Sequence, residues 1–228
     1  LAEVRKLPRY LMTAMALTVS NNLFGALEFS ECFAEAGLQP IMGLGLEIKA
    51  EGGVSGQVAL LAQNSAGYSN LMQLSTAAFL DVDPQEAPHV SLARLKAHAE
   101  GLILLTGGGE GPLAHLFDTD RDEAARALLQ DLAAAFEGRA YVELMRHGER
   151  IEALTEGRLV DLAYELSLPL VATNDIRFKG RADYEAHDAL ISIAASSYLG
   201  AEDRPRMSQE HYFKSAAEMS ALFDDLPE

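Results

Sequence analysis

The stretch Leu17–Phe29, LTVSNNLFGALEF, reads as the end of a β-strand, a polar turn and the start of a helix. In folds of alternating strands and helices, the turn that follows a strand is where catalytic residues usually lie. Here that turn supplies Val19, Ser20, Asn21 and Asn22, and none of these side chains is by itself a good metal ligand, general base or activated nucleophile. A turn that often supplies catalytic residues therefore holds residues that are poorly suited to catalysis.

Short apolar runs alternate with helical patterns along the rest of the chain, which is typical of a parallel sheet with crossover helices. The pattern predicts six parallel strands at 14–18, 40–48, 57–62, 102–106, 141–145 and 169–173. We expect one α/β domain over residues 1–228, because the sequence has no internal repeat and no low-complexity linker. Periodicity does not distinguish an open doubly wound sheet from an incomplete barrel.

Capping side chains mark the predicted helix starts. These are Asn22, before a helix ending at Gly37; Ser91, before one ending at Gly101; and two capping boxes, Asp120 with Glu123 and Ser215 with Glu218. Leu1–Lys6 also reads as helical, and since no initiator Met precedes it we interpret the chain as a fragment. The stretches 51–56 and 81–88 are predicted to be irregular segments between the regular elements.

The composition excludes several classes of function. Only 18 Lys and Arg face 34 Asp and Glu, giving a formal charge of -16, which disfavours direct binding to nucleic-acid phosphates. The single cysteine, Cys32, cannot form an internal disulfide, and no apolar run is long enough to span a membrane. These features predict a cytoplasmic protein that does not bind DNA directly.

Residues just after the predicted strands are the candidates for a site. The ligand types among them are Asp175, His147 and Glu110, a set too scattered to indicate a metal site by itself. The remaining strand-end stretches are Gly43–Leu44–Gly45, Gln63–Asn64 and Gly107–Gly108–Gly109. We interpret the last as a tight turn rather than a phosphate loop, because no Lys-Ser/Thr follows and Pro112 removes a donor.

Three further residues have simpler structural interpretations. Cys32 lies in a predicted helix without a neighbouring His and reads as a small core residue. His187 is predicted to pack and hydrogen-bond on a helix. Arg177, two residues after Asp175, is expected to form a salt bridge with it, since alternate side chains of an extended segment point the same way.

Several motifs, taken in order, resemble the PHP (polymerase and histidinol phosphatase) domain of the alpha subunit of bacterial DNA polymerase III. They are NLFGALEF from Asn22, AGLQPIMG from Ala36, LLAQN from Leu60, GYSNLMQLS from Gly67, EGLI from Glu100, YVEL from Tyr141, PLVATND from Pro169, EAHD from Glu185 and YFKS from Tyr212. The resemblance implies a distorted seven-stranded TIM-like (β/α) barrel whose first strand, which carries a His-x-His pair, is missing from this chain.

Metal-binding members of that family hold a multi-metal centre, zinc or manganese, at the strand ends. The resemblance places non-ligand residues at most of the family's ligand positions. These are Val19, Ser20, Gly45, Gln57, Gly108 and Arg177. Only Asp175 remains, so we expect no catalytic residue, no bound metal and no cofactor in this segment.

An inactive PHP domain would be a structural and subunit-docking module in DNA replication. The resemblance implies two partners, which are the remainder of the polymerase alpha subunit and the separate proofreading exonuclease subunit. One alternative is a metal-dependent phosphoesterase or 3'-5' proofreading exonuclease in which Glu47, Glu110 or His147 replaces lost ligands. Another is the PHP domain of the error-prone paralogue of the polymerase.

Overall fold

The computed structural model describes residues 13–227, so the helix predicted at Leu1–Lys6 and any strand before residue 13 lie outside it. Within that range there are seven strands: β1 (Ala14–Leu17), β2 (Gln39–Ala50), β3 (Val54–Ala62), β4 (Val90–Ser91), β5 (Leu102–Leu105), β6 (Ala140–Leu144) and β7 (Leu170–Ala172). The α-helices are α1 (Ala26–Glu35), α2 (Ser65–Leu80), α3 (Leu92–Ala97), α4 (Pro112–Asp118), α5 (Asp122–Ala135), α6 (Arg150–Glu165), α7 (Tyr184–Ala194) and α8 (Ala216–Leu222). All six predicted strands are present, and the two-residue β4 is an addition.

The strands form one curled sheet in the order β1-β2-β3-β5-β6-β7, with β4 paired to β2. The prediction of an all-parallel sheet is wrong, because β3 runs antiparallel to both β2 and β5. The connection from β2 to β3 is the three-residue turn Glu51–Gly53, in which Gly52 and Gly53 have φ of 75° and 76°. So short a turn can only reverse the chain, since a parallel crossover needs a dozen residues or more.

Two of the four predicted helix caps are confirmed and two are wrong. Ser91 accepts the amide of Arg94, and Ser215 with Glu218 forms a complete capping box. The side chain of Asn22 instead accepts the amide of Phe24, in a turn that precedes α1. Asp120 has a φ of 52°, which no helix start adopts, and α5 has no side-chain cap.

The hydrophobic core lies between one face of the sheet and the helices. Alternate residues of β2 and β3 are fully buried there, among them Leu44, Leu46, Ile48, Val58 and Leu60. Helices α2, α4 and α6 pack on the sheet, and each Å² of apolar surface so buried contributes about 25 cal/mol. The intervening residues, including Gly45, Glu47 and Gln57, face the other side. Helices therefore cover one face of the sheet, and these polar residues lie on the other, concave face.

Helix α8 is attached to the body of the domain through Arg146. The guanidinium binds the Glu156 carboxylate at 2.7 Å, the Asp225 carboxylate at 2.6 Å and the Leu222 carbonyl at 2.6 Å. It also lies 4.6 Å from the centre of the Phe223 ring. One side chain therefore fastens the last helix to β6 and α6. None of the helices in the described part of the chain combines the length and apolarity that a membrane span requires.

Candidate functional site

The candidate site is the strand-end rim, the edge of the sheet where β1, β2, β5, β6 and β7 end. Because β3 is antiparallel, its first residues lie at this rim, and Gln57 is paired with Glu47 there. Its last residues point to the opposite edge, where the Asn64 side chain accepts the amide of Gly67 and caps α2. The prediction that Gln63 and Asn64 lie among the site residues is therefore wrong.

One side of the rim, which we call the neutral side, consists of Ser20, Gly45 and Gln57. The Gln57 amide nitrogen donates to the Ser20 hydroxyl at 3.0 Å. A Cβ added at position 45 would lie 2.7 Å from that same amide nitrogen and 3.2 Å from the Thr18 carbonyl oxygen. Three of the predicted eroded positions are thus in mutual contact, and a side chain at position 45 is incompatible with the present position of the Gln57 side chain.

Asn21 holds the neutral side together, a role that the sequence did not reveal. Its amide donates to the Gly45 carbonyl at 2.6 Å, and its side-chain oxygen accepts the amide of Glu47 at 3.1 Å. The Gly45 amide in turn donates to the carbonyl of Val19 at 3.1 Å. The φ of Asn21 is 58°, a left-handed value that Asn tolerates better than most residues. The turn after β1 therefore serves the backbone of β2.

The glycine turn after β5 is confirmed as a tight turn. Gly107 has a φ of 90°, and a Cβ there would lie 1.7 Å from the Gln57 carbonyl oxygen, so only glycine fits. The next residue, Gly108, is buried, and a Cβ there would lie 2.9 Å from the Met145 side chain. The Gly107 amide already donates to the carboxylate of Glu143 at 2.8 Å. This donor is therefore occupied by the protein itself.

The other side of the rim, which we call the charged side, carries ionisable groups. They are Glu143, His147, Glu152, Asp175, Arg177, His211 and Lys214. Glu143 is only 2% exposed and accepts hydrogen bonds from the Gly107 amide and, at 2.6 Å, from the Thr173 hydroxyl. Burial raises the pKa of the Glu143 carboxyl, although these two hydrogen bonds act in the opposite direction. A carboxylate within the apolar run YVEL was the signal for this residue.

Two imidazole rings stack at the centre of the charged side. His147 and His211 have ring centroids 3.9 Å apart and planes inclined by 4°. The Nδ1 atom of His147 lies 2.8 Å from Glu152 Oε1, and its Nε2 atom lies 3.1 Å from Asn174 Oδ1. Glu152 also accepts the amides of His147 and Glu149. Both nitrogens of His147 are thereby engaged, which leaves neither available to a ligand.

The predicted salt bridge between Arg177 and Asp175 is confirmed, with Nε 2.7 Å from Oδ2. His211 approaches the same aspartate, its Nδ1 atom lying 2.9 Å from the backbone carbonyl and 3.5 Å from Oδ2. Burial opposes ionisation of Asp175, but hydrogen bonding to His211 and the charge of Arg177 outweigh it and lower its pKa. Burial also favours neutral His211, yet the hydrogen bonds to Asp175 prevail and raise the pKa of the imidazole.

A buried lysine completes the charged side. Lys214 is 4% exposed, and its ammonium lies 3.2 Å from the Asn174 side-chain oxygen, 4.5 Å from the centre of the Tyr212 ring, and within hydrogen-bonding distance of the Glu210 carbonyl. Burial lowers the pKa of the ammonium. Asn174 is thus shared between His147 and Lys214. The sequence offered no signal for this, because 40 residues separate Asn174 from Lys214.

Two of the three residues offered as replacement ligands lie near each other, and the third does not join them. Glu47 lies near Glu110 and His115, and its pKa is raised chiefly by burial. His147 belongs to the charged side, where Glu152 and Asn174 occupy it. Across residues 13–227, no group of three or more His, Cys, Asp or Glu side chains has an arrangement that could hold a metal ion.

The residues that the resemblance assigns to the family's ligand positions do not form the donor set of a metal centre. A catalytic zinc site takes about three protein ligands from His, Asp, Glu or Cys. Here the neutral side offers only a hydroxyl and an amide, and the carboxylate of Asp175 is paired with a guanidinium. A fixed cation beside the one remaining carboxylate would repel a metal ion.

The two isolated candidates lie on helices. Cys32 is a free thiol on α1 that is only partly buried and is not among the described core residues, so the prediction of a core residue is not confirmed. His187 packs against Phe178 with ring centroids 5.3 Å apart, as the packing prediction required. Its buried Nδ1 atom has no hydrogen-bond partner among the described residues, so the predicted hydrogen bond is not made by that atom.

Comparison with known proteins places this geometry in a family. The family described as PHP domain matches residues 4–147. DNA polymerase III subunit alpha from Caulobacter vibrioides is 44% identical over 224 residues, covering 95% of this chain and 20% of that protein. The same subunit from Rickettsia bellii is 40% identical, covering 96% and 19%, and that from Pseudomonas aeruginosa is 35% identical, covering 95% and 19%.

A solved structure of a Bifidobacterium adolescentis protein, named as a metal-dependent phosphoesterase, is similar to this chain with a TM-score of 0.49 and 15% identity. The match covers 76% of this chain and 80% of that protein. The chain spans about 20% of the length of the first polymerase subunits that it matches. With a family match over more than half of its residues, the chain belongs to the PHP domain family.

Proposed function

We propose that this segment is the PHP domain of a replicative DNA polymerase III alpha subunit, that it is catalytically inactive, and that it supports polymerase architecture and subunit docking. DNA synthesis would then take place in other parts of the polypeptide. The observation that carries the proposal is the scarcity of available metal ligands at the strand-end rim. Of the family ligand positions placed in this chain only Asp175 retains a ligand side chain, and it is paired with Arg177 at 2.7 Å.

The charged side supports an architectural role. A hydrolytic site needs at least one group that can change its protonation state or bind the reacting atoms. Here the ionisable groups are engaged with other groups of the protein: Glu143 with the Gly107 amide and the Thr173 hydroxyl, His147 with Glu152, and Asp175 with Arg177. Side chains held in this way stabilise loops and leave little capacity for substrate.

Elemental analysis of the full-length polypeptide, after dialysis without chelator, tests the inactive state. We expect well under one zinc, manganese or iron ion per chain from this domain, and no change on Asp175→Asn. Two or more metal ions per chain, reduced by Asp175→Asn, would overturn the proposal. Hydrolysis of a phosphoester or of single-stranded DNA from its 3' end, lost in the same variant, would favour the phosphoesterase or exonuclease alternative.

The docking role predicts a complex with the proofreading exonuclease subunit and no direct contact with DNA. A charge of -16 provides no excess of cations for phosphate binding. We expect the full-length alpha subunit to co-elute with the exonuclease. We also expect variants that replace Lys or Arg by Glu within this segment to leave the salt dependence of DNA binding unchanged. A reduced salt dependence would indicate a basic face that contacts DNA.

A further inference from the structure

Helix α7 has its polarity reversed relative to an ordinary surface helix. Its two buried residues are polar: Asp188 is 8% exposed and Ser192 is 2% exposed. Leu190 and Ile193, which neighbour one another on the helix surface, are 63% and 73% exposed. A surface helix of a monomeric protein normally shows the opposite pattern. Helix α5 does so here, since its buried residues are Ala125, Leu128, Leu129 and Leu132.

The residues after α7 extend the apolar surface. The amide of Ser197 donates to the Ser192 carbonyl at 2.9 Å, which keeps the following residues close to the helix end. Tyr198 and Leu199 follow directly, and they are 74% and 54% exposed. We call Leu190, Ile193, Tyr198 and Leu199 together the α7 face. Exposed apolar clusters of this kind mark sites of contact with another surface.

The α7 face is held in place rather than loosely attached. Arg204 makes two contacts of 2.5 Å with the two carboxylate oxygens of Asp188, and it also donates to the Leu199 carbonyl at 3.1 Å. The guanidinium is thereby bound to the buried side of the helix and to the loop at once. A bidentate pair of this geometry fixes orientation as well as distance. The protein therefore presents the four apolar side chains in a defined arrangement.

The start of α7 is linked to the start of the last described helix, α8. Arg181, three residues before α7, binds Glu210 at 2.8 Å and lies 4.9 Å from the centre of the Tyr212 ring. The Tyr212 hydroxyl donates to Glu218 in the first turn of α8. Arg181 and Tyr212 therefore connect the start of α7 to the start of α8.

We propose that the α7 face is the surface on which the remainder of the polymerase polypeptide docks. The inference rests on the proposed function and deepens it by assigning a surface and an occupant. The related polymerase subunits are about five times the length of this chain, since the chain covers 20% of the Caulobacter vibrioides protein. Under the proposed function that additional chain is covalently attached, and attachment gives it an effective concentration in the millimolar range.

The charge of the domain favours this occupant over a second copy of the same chain. Two copies would each carry a formal charge of -16 and repel one another. Glu185, Glu202 and Asp203 are exposed near the apolar side chains. The docking partner is therefore expected to present aliphatic side chains surrounded by Lys and Arg.

Thiol labelling in the full-length polypeptide tests the proposal. Ile193→Cys places a thiol on the α7 face, and Glu123→Cys places one at the start of α5, where the side chain is 95% exposed. Labelling by a maleimide is followed by mass spectrometry of the peptide that contains each position. We expect labelling at position 193 to be at least tenfold slower than at position 123. Adding Leu190→Asp to Ile193→Cys should restore rapid labelling, and Tyr198→Cys repeats the measurement at a second position.

Equal labelling rates at positions 193, 198 and 123 would overturn the proposal. Protection that requires added exonuclease subunit would identify a separate protein as the occupant, and protection that vanishes on dilution would identify a second copy; either result also overturns it. DNA synthesis and metal content are measured on the same preparations. A chain that makes no DNA defeats the proposed function, whereas rapid labelling in an active polymerase defeats only the docking assignment.

Discussion

The two sides of the strand-end rim achieve order in different ways. The neutral side, Ser20, Gly45 and Gln57, is ordered by one side-chain hydrogen bond of 3.0 Å and by backbone contacts with Asn21. The charged side contains carboxylates, each engaged with a protein donor or cation, and the His147 imidazole, which is engaged with two side-chain oxygens, at distances of 2.6 to 3.1 Å. Residues without charge need few partners, whereas every retained charge requires one.

This difference shows that an acidic side chain at such a rim needs a cation or hydrogen-bond donors beside it. An unpaired carboxylate in a partly buried site costs several kcal/mol. On the neutral side Gly45 and Gln57 carry no charge, which avoids the cost. On the charged side Arg177 and the donors around Glu143 compensate for it. Mutations on the two sides should therefore differ in size, and the predictions below follow that order.

The largest effect is expected for Glu152→Ala on the charged side. Glu152 is 8% exposed and accepts from the His147 ring, the His147 amide and the Glu149 amide. Its removal leaves buried donors unpaired, and we expect the free energy of unfolding to fall by about 3 kcal/mol or more. Urea denaturation followed by circular dichroism measures this. A loss below about 1 kcal/mol would contradict the view that the charged side depends on complete pairing.

The next effect concerns the pH dependence contributed by Glu143. Its pKa is raised by burial, so the native state is favoured when the carboxyl is protonated, and this contribution is lost as pH rises from about 4.3 through the raised pKa. Glu143→Gln keeps the shape and removes the charge. The stability of the variant relative to the native sequence should increase with pH over that range, by about 1.4 kcal/mol for each unit of elevation.

Denaturation midpoints measured from pH 4 to pH 8 test this expectation, and Glu123→Gln at an exposed position is the control. Stability profiles that remain parallel for Glu143→Gln and the native sequence would show that the pKa of the buried carboxyl is not raised. In that case the hydrogen bonds from Thr173 and Gly107 at least offset burial.

Arg177→Ala should have a smaller effect. The Arg177 and Asp175 side chains are 35% and 27% exposed, so solvent screens the pair, and His211 still contacts the aspartate. We expect a loss of about 1 kcal/mol in the free energy of unfolding, reduced further in high salt. Arg177→His should still leave the domain without a stoichiometric metal ion, since the neutral side remains unchanged. Metal uptake by Arg177→His alone would show that the other ligands are present.

The smallest effect is expected for Gln57→Ala on the neutral side. The substitution removes one hydrogen bond between uncharged, solvent-accessible groups, and the cost should lie below about 1 kcal/mol. The measurement is the same urea denaturation that is used for Glu152→Ala. A loss as large as that of Glu152→Ala would remove the distinction between the two sides.

The sequence predicted the positions of the strands well because each is a short apolar run between turn residues. It did not predict the direction of β3, since a two-residue period is the same in both directions. Gly52 and Gly53 were the available signal, because paired glycines between apolar runs indicate a hairpin. The caps at Ser91 and Ser215 were predictable, whereas Asn22 and Asp120 were wrong because the same side chains also stabilise turns.

On the charged side, one local contact could be predicted from the sequence and the long-range contacts could not. The pairing of Arg177 with Asp175 was predictable from a separation of two residues along an extended segment. The contacts of His211 with Asp175 and of Lys214 with Asn174 join residues 36 and 40 positions apart. No local pattern encodes such distances. Only the path of the chain after β7 brings these residues to the rim.

Arg146 has a mechanical consequence. A pull on the carboxyl end of the chain passes into α8, and the contacts of Arg146 with Asp225, Leu222 and Glu156 carry that load into β6 and α6. These contacts lie side by side, so they would resist the load together. A force applied to α8 would therefore reach β6 and α6 directly through Arg146.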